Sequence, residues 1–265
     1  MPTQQEKAEV FRALHEGETF VIPNPWDAGS AKALAALGFK ALATTSAGFA
    51  FTIGRVDGDV TLDEVMDHAG ALARATDLPV SVDMENGYGA SPEEAALAVT
   101  RAAEGGAVGG SIEDYDPEGK IYDIGHATER IAAAAEAAGR AGFPFTLTAR
   151  AENLFRRSGD LDDTIARLQA YEGAGADVLY APWLRTSDEI RAVCDATSKP
   201  VNVLALPGMT VGEIAEAGGQ RISVGSQLAL VALAAFGKAT EEIRDAGTFE
   251  ALKARAPINE WLGTV

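Results

Sequence analysis

The sequence has few of the side chains that form disulfides or bind soft metals. Its 265 residues include one cysteine, Cys194, and three histidines. A single cysteine excludes an internal disulfide framework and fits a reducing compartment. The surrounding segment, DEIRAVCDATSKP, predicts an amphipathic helix with Cys194 on its inner face. We therefore interpret this thiol as a packing residue.

Basic residues and long apolar runs are scarce as well. Lysine and arginine number 22 against 39 aspartates and glutamates, which gives a formal net charge of −17. Nucleic acids and anionic membranes attract basic surfaces, so we predict neither as a partner. No apolar run reaches the roughly 18 residues of a membrane span, and charges stand where a signal peptide has its apolar core. We therefore expect a cytoplasmic protein.

Short strand-forming runs alternate with alanine-rich helical stretches along the chain. Eight strands are predicted, at 20–23, 41–46, 80–85, 108–114, 145–150, 178–182, 201–206 and 221–226. Runs that are apolar throughout favour a parallel sheet covered by helices. No GxGxxG motif follows the first strand to favour a dinucleotide-binding fold. The pattern predicts an α/β protein, with residues 1–265 forming a single (β/α)₈ TIM-barrel domain.

Residues 226–265 follow the last predicted strand and form a C-terminal helical extension in this interpretation. Their sequence predicts one or two amphipathic helices that end in an exposed apolar tip around Trp261. An additional apolar helix needs a surface to pack on. We therefore expect the extension to contact another subunit.

Carboxylates are concentrated where three of the predicted strands end. They are Asp57 and Asp59 after the second strand, Asp83 and Glu85 at the third, and Glu113 and Asp114 at the fourth. The carboxyl ends of barrel strands form the active-site rim. A lone acidic residue there often caps the next helix, but so many together favour a divalent cation that keeps them ionised. Oxygen ligands suit Mg²⁺ or Mn²⁺ rather than zinc.

Candidate anion-binding groups also lie at predicted strand ends. Arg150 closes the fifth strand and can hold a carboxylate or phosphonate bidentately, or form a structural salt bridge with Glu152 or Glu113. Small residues after the second strand offer unobstructed backbone amides, namely Ser46, Ala47 and Gly48. Such amides suit a carboxylate or a developing oxyanion, although a simple turn fits the same residues.

Five strings occur in a familiar order between about residues 20 and 230. They are VIPNPWDAGSAKALAALGFKALATTSAG, VSVDMENGYG, SIED, TARAENL and VNVLALPG. In these strings the chain resembles the isocitrate lyase/phosphoenolpyruvate mutase superfamily. The most specific element is D-x-E-x-G-Y-G at 83–89, followed by I-E-D at 112–114. The resemblance implies a homotetramer or homodimer in which C-terminal helices are exchanged between subunits.

The resemblance also implies roles for individual residues. Asp83 would bind Mg²⁺ or Mn²⁺ directly, Glu85 and Glu113 would hold it mainly through its waters, and Asp57 or Asp59 would be the fourth acidic partner. The substrate carboxylate would bind at Ser46, Ala47 and Gly48. Arg150 would stabilise the opposite charge, and Asn202 would reach the distal part of the substrate.

The segment after the fourth strand departs from the superfamily. Its sequence, EDYDPEGKIYDIGHATER, lacks the cysteine of isocitrate and methylisocitrate lyases, and only Lys120 roughly matches the lysine of the mutases. This disfavours both activities. The segment would act as a lid, and any general acid or base is drawn from it or from Tyr88; the lid candidates are Tyr115, Asp116, Glu118, Lys120, Tyr122 and His126.

The predicted function is a magnesium-dependent lyase reaction on a small 2-oxo carboxylate. A C–C or P–C bond next to the carbonyl would break through an enolate, with Arg150, Glu113, Lys120 and Tyr88 as catalytic residues. Two alternatives stay open. One is a metal-dependent pyruvate aldolase, and the other is a non-catalytic barrel that binds a 2-oxo acid.

Overall fold

The computed structural model describes residues 1–263, and eight parallel strands form its central sheet. The barrel strands are β1 (Phe20–Ile22), β2 (Leu42–Ala43), β3 (Val80–Asp83), β4 (Gly109–Glu113), β7 (Thr146–Arg150), β8 (Val178–Tyr180), β9 (Val201–Leu204) and β10 (Arg221–Ser223). A separate antiparallel hairpin follows β4 and consists of β5 (Tyr115–Asp116) and β6 (Lys120–Ile121). All eight predicted barrel strands are confirmed.

Helices surround the sheet and connect its strands. They are α1 (Gln4–Leu14), α2 (Ala28–Ala36), α3 (Ser46–Thr52), α4 (Leu62–Ala75), α5 (Pro92–Glu104), α6 (Ile124–Gly139), α7 (Leu161–Gly173), α8 (Ser187–Ala196), α9 (Val211–Glu216), α10 (Gln227–Ala246), the 3₁₀ helix η1 (Glu250–Lys253) and α11 (Ile258–Leu262). The two ends of the sheet meet where the Ala43 N–H donates to the Pro23 carbonyl at 3.1 Å. The predicted (β/α)₈ barrel is confirmed, with nearly complete closure.

Small side chains bring the outer helices close to one another. Helices α5 and α6 pack together, and each contributes buried alanines to the same apolar core, including Ala98, Ala102, Ala134 and Ala138. Alanine adds little bulk, so two helix backbones can approach closely. This packing places α6 beside the loops that follow β3 and β4.

A repeated capping box begins several of these helices. A threonine or serine N-cap is followed three residues later by a glutamate, and both reciprocal hydrogen bonds form at Thr3, Thr61, Ser91, Thr186 and Thr210. The glutamates of these boxes therefore satisfy helix N-termini. This function separates them from the carboxylates of the barrel mouth.

The C-terminal extension is helical, as predicted. Of the residues of α10, Ala229 is buried, whereas Leu230, Val231 and Phe236 are exposed. Helix α11 contains Trp261 and lies against α2 of the same chain. The exchange of these helices between subunits stays a prediction. Within residues 1–263, no helix combines the length and the apolar character that crossing a bilayer requires.

Candidate active site

A cavity of about 800 Å³ opens at the carboxyl ends of the barrel strands. Most of the predicted site residues line it, namely Ser46, Ala47, Asp57, Asp83, Glu85, Glu113, Arg150 and Asn202. Gly48, Tyr88 and Lys120 are not among the lining residues. The fold therefore gathers at one point side chains that are separated by more than 150 positions along the chain.

Arg150 lies at the end of β7 and contacts three carboxylates. Its Nε donates to Glu152, its Nη2 lies 3.3 Å from Glu113 Oε2, and its Nη1 lies 3.7 Å from Asp83 Oδ1. Burial alone would lower the pKa of Arg150, but the carboxylates of Glu152 and Glu113 outweigh burial and raise it. Arg150 therefore stays charged and forms both of the salt bridges considered from the sequence.

Three of the carboxylates that line the cavity have raised pKa values. Burial, together with Asp83 and Asp57, raises the pKa of Glu85 to about 7. Burial also raises the pKa of Glu113, although Arg150 opposes this effect, and burial raises the pKa of Asp57. Clustered carboxylates with raised pKa values favour the binding of a cation.

The donor set fits a hard divalent ion that keeps much of its hydration. Among residues 1–263, no three carboxylate, imidazole or thiol side chains converge at the spacing of metal ligands. Instead, the Arg150 guanidinium extends toward both Asp83 and Glu113. Mg²⁺ commonly keeps several waters and takes only one or two protein carboxylates. Oxygen donors at this wider spacing therefore fit Mg²⁺ that keeps part of its water shell, but not a fully dehydrated ion.

The predicted backbone amides lie at the start of α3, and part of their donor capacity is used. The Gly48 N–H donates to its N-cap, Thr45 Oγ1, at 3.2 Å. The Ser46 N–H points toward Asp83 Oδ2 at 3.5 Å. Ser46 and Ala47 line the cavity, whereas the Gly48 amide serves the helix cap.

Asn202 is already paired within the barrel. It is 1% exposed, its Oδ1 accepts from Arg221 Nε at 2.8 Å, and its Nδ2 donates to Ser223 Oγ at 3.0 Å. Arg221 also donates to Thr148 Oγ1 at 3.0 Å, and burial lowers the pKa of Arg221 to about 10. Asn202 therefore forms part of a polar cavity wall. The only sequence signal for Arg221 is a charge at the start of an apolar strand.

Tyr88 and Lys120 have different surroundings. The Tyr88 hydroxyl donates to Glu85 Oε1 at 3.2 Å, and burial together with the Glu85 charge raises the pKa of Tyr88. Tyr88 is therefore a neutral donor beside the cavity carboxylates. Lys120 is exposed on the β5–β6 hairpin.

Arg156 links the hairpin to the cavity and was not predicted. Its guanidinium lies 3.7 Å from the centre of the Tyr115 ring, its Nε is 3.2 Å from Glu152, and its Nη2 is 3.9 Å from Glu113. The sequence shows it only as one of two adjacent arginines in a loop. Its position over the hairpin follows from the three-dimensional arrangement of two separate loops.

Asp114 does not belong to the cavity, which corrects its sequence-based assignment to the rim. It accepts hydrogen bonds from the Tyr171 hydroxyl at 2.5 Å, the Glu152 N–H at 2.7 Å and Arg167 Nη1 at 3.1 Å. Successive strand residues point to opposite faces, so Glu113 and Asp114 cannot both face the cavity.

Comparisons with known proteins show which family this chain is similar to. The model of the phosphoenolpyruvate phosphomutase family matches residues 11–244. The 2-methylisocitrate lyase of Halalkalibacterium halodurans is 31% identical over 264 residues, which cover 94% of this chain and 86% of the relative.

Two solved structures are similar over nearly their whole length. A protein from Burkholderia cenocepacia J2315, described provisionally as a lyase/mutase, is 52% identical with a TM-score of 0.94, covering 97% of this chain and 96% of that one. An oxaloacetate acetylhydrolase bound to its product oxalate is 27% identical with a TM-score of 0.89, covering 99% and 96%.

The chain belongs to the phosphoenolpyruvate phosphomutase family. The predicted membership of the isocitrate lyase/phosphoenolpyruvate mutase superfamily of carbon–carbon lyases and hydrolases is thereby confirmed.

Proposed function

We propose that this protein cleaves or forms a C–C or P–C bond next to the carbonyl of a small 2-oxo acid, in a reaction that depends on Mg²⁺ or Mn²⁺. The observation that carries the proposal is the contact of the largely buried Arg150 with Asp83 and Glu113 inside a cavity rich in carboxylates. This arrangement combines a permanent cation with donors for a hard metal. Both are suited to an anionic substrate whose reaction develops further negative charge.

The acidic side chains supply the proposed metal site. Asp83, Glu85, Glu113 and Asp57 would hold the ion, with Asp83 as the direct ligand. When bound, the ion supplies Lewis-acid stabilisation to the oxygen of the enolate. No histidine or cysteine lines the cavity within the described residues, which agrees with an ion that prefers oxygen ligands.

The other cavity residues would bind and orient the substrate. Arg150 offers a guanidinium to the substrate carboxylate or to the charge that develops opposite it. Ser46 and Ala47 present backbone at the mouth, and Asn202 shapes the wall beyond. Tyr88 holds its hydroxyl proton toward Glu85 and is one candidate donor, and Lys120 on the hairpin is the other.

The relatives support the reaction class. One relative is named a 2-methylisocitrate lyase, and one similar structure is an oxaloacetate acetylhydrolase in complex with its product oxalate. This chain lacks the lyase cysteine in its hairpin segment. Hydrolysis, decarboxylation or lyase cleavage of an oxaloacetate-like acid therefore suits it better than cleavage of isocitrate.

We also propose a homotetramer or homodimer formed through residues 226–265. The exposed apolar residues of α10 include Leu230, Val231 and Phe236, and a partner would remove this surface from water. Light scattering measures the oligomeric state of the wild type and of the double variant Leu230→Asp, Phe236→Asp, and so tests the proposal. A monomeric wild type would contradict the proposal.

A thermal-shift experiment tests the metal and substrate site. Oxalate resembles pyruvate enolate, so Mg²⁺ with oxalate should raise the Tm of the wild type, and Asp83→Ala should abolish the rise. Asp63→Ala is a matched control, because Asp63 forms an exposed ion pair with Arg101 away from the cavity. Equal stabilisation of the Asp83 variant would show that the site is wrongly assigned.

A substrate screen separates the alternatives. Turnover of oxaloacetate or alkylmalates supports the proposal. Retro-aldol cleavage of 4-hydroxy-2-oxo acids alone would indicate a pyruvate aldolase. Binding of 2-oxo acids without turnover of any would indicate a non-catalytic barrel.

A further inference from the structure

We propose that Arg130 on α6 is a positioning residue that joins the loop after β3 to the end of β4, and so presents Glu85 and Glu113 to a shared cation. This inference rests on the proposed function, because it concerns the same metal site. Arg130 does not line the cavity. It would act through the backbone that carries the two glutamates.

The Arg130 guanidinium donates to carbonyl groups of two separate segments. Its Nη2 donates to the Asn86 carbonyl and, at 2.9 Å, to the Gly89 carbonyl. Its Nη1 donates to the Glu113 carbonyl at 3.3 Å. The first acceptor belongs to the residue after Glu85, the second lies four residues after Glu85, and the third belongs to Glu113 itself. The Glu113 N–H also donates to the Glu85 carbonyl at 2.8 Å, so a backbone hydrogen bond and the Arg130 side chain together set the spacing between the two carboxylate-bearing segments.

The loop after β3 needs such support because its backbone is unusual. Glu85 and Tyr88 have positive φ angles of 47° and 61°, which non-glycine residues rarely adopt. Gly87 lies between them with φ of 83°, and a Cβ there would lie 3.0 Å from Ala95 Cα. The last ladder hydrogen bond here runs from the Glu113 N–H to the Glu85 carbonyl, so the Asn86 and Gly89 carbonyls beyond it need other donors, which Arg130 supplies.

The surroundings of Arg130 favour a geometric role over a contribution to stability. The residue is 1% exposed, and its guanidinium lies 4.7 Å from the centre of the Tyr122 ring. Within the described residues, its Nε is the one buried side-chain nitrogen or oxygen without a hydrogen-bond partner. It forms none of the ion pairs found there. Burying a cation among neutral carbonyls costs desolvation energy, which an apolar side chain of similar size avoids.

The planar fork of arginine explains the choice of residue. Several N–H groups in one plane can reach three carbonyls while the flat face stacks on Tyr122. Lysine carries a single ammonium group and cannot span both segments equally well. Lysine should therefore restore only part of the effect.

Metal affinity of the full-length protein tests the proposal. Arg130→Met keeps the packing volume but removes the donors, and we expect the Kd for Mn²⁺ to rise about 10- to 100-fold, as for other residues that orient metal ligands. Arg130→Lys should give an intermediate Kd. Arg140→Met is the matched control, because Arg140 is the C-cap residue of the same helix and forms an exposed ion pair with Glu136. Its Kd should equal that of the wild type.

Calorimetry measures the Kd for Mn²⁺, and unfolding without metal separately measures the stability of each variant. A weaker Kd for Arg130→Met, with partial recovery in Arg130→Lys, supports the proposal. A wild-type Kd in a less stable Arg130→Met would show that Arg130 serves only the fold. If Arg130→Met does not fold, Arg130→Lys provides the test. A wild-type Kd for Mn²⁺ in that variant would show that the planar guanidinium is not required, and would overturn the proposal. Absence of Mn²⁺ and Mg²⁺–oxalate binding by the wild type would instead contradict the proposed function itself.

Discussion

Two adjacent carboxylates at the end of β4 have opposite surroundings. Glu113 faces the cavity, where it shares Arg150 with Asp83 and Glu152. Asp114 faces the outer helices and accepts hydrogen bonds from Tyr171, Arg167 and the Glu152 backbone. Glu113 therefore lies among an excess of negative charge, whereas hydrogen-bond donors surround Asp114.

The two carboxylates are therefore expected to have different roles, with Asp114 contributing to stability and Glu113 to ligand binding. Burial raises the pKa of Asp114, and its hydrogen bonds to Tyr171 and Glu152 and the charge of Arg167 oppose this effect, so the Asp114 network holds α7 against the barrel. The carboxylates around Glu113 outnumber the cations that face them, so we expect the proposed cation to bind on this side. We therefore expect substitutions on the Asp114 side to affect folding and those on the cavity side to affect activity.

The largest effect on stability is expected at Asp114. Asp114→Ala leaves Arg167 without its buried partner and should lower the free energy of unfolding by about 3–5 kcal/mol. Urea denaturation measures this loss. The folded variant should still gain Tm from Mg²⁺ with oxalate. Loss of that gain at unchanged stability would place Asp114 in the active site.

The corresponding effect on activity is expected at Arg150. Arg150→Ala should lower kcat/KM about 10²- to 10³-fold, because it removes a donor aimed at developing charge. Mn²⁺ affinity should change much less. Steady-state kinetics and calorimetry provide the comparison, with Arg150→Lys retaining part of the activity. Equal losses of turnover and metal binding would show that Arg150 is mainly a structural salt-bridge partner.

A smaller effect is the pH dependence of the metal-free protein. The pKa of Glu85 rises from 4.5 to about 7 on folding, so the folded state binds the proton more tightly. Its contribution to stability is present at low pH and is lost as pH rises from about 4.5 to 7, by up to about 3 kcal/mol. Unfolding in EDTA should show this slope, and Glu85→Gln should reduce it. An unchanged slope would assign it to other groups.

The smallest effect is expected at a helix cap near the acidic loop. Ser91→Ala removes the cap of α5 and should lower the free energy of unfolding by about 1 kcal/mol. Activity should be unchanged after correction for the folded fraction. A large loss of activity would show that the helix ends also control the cavity.

Much of the barrel and of the site follows from local sequence patterns. Apolar runs of four to seven residues predicted every barrel strand, because parallel strands covered on both faces need continuous apolar sequence. The D-x-E-x-G-Y-G string predicted that Asp83 and Glu85 belong to the site. Asp114 was placed on the same rim because its neighbour Glu113 ends the strand. In the structure, side chains alternate between the two faces of the strand, so Asp114 points away from the cavity that Glu113 faces.

The sequence by itself determined the order of strands and helices, the acidic character of the chain and the identity of the residues at the strand ends. These properties depend on neighbours along the chain, which the sequence displays directly. Only the tertiary structure decided that Arg130, Arg156 and Arg221 are inserted among the segments of the site. Each of these arginines contacts residues that are distant in sequence, and a long flexible side chain can extend in many directions until packing selects one.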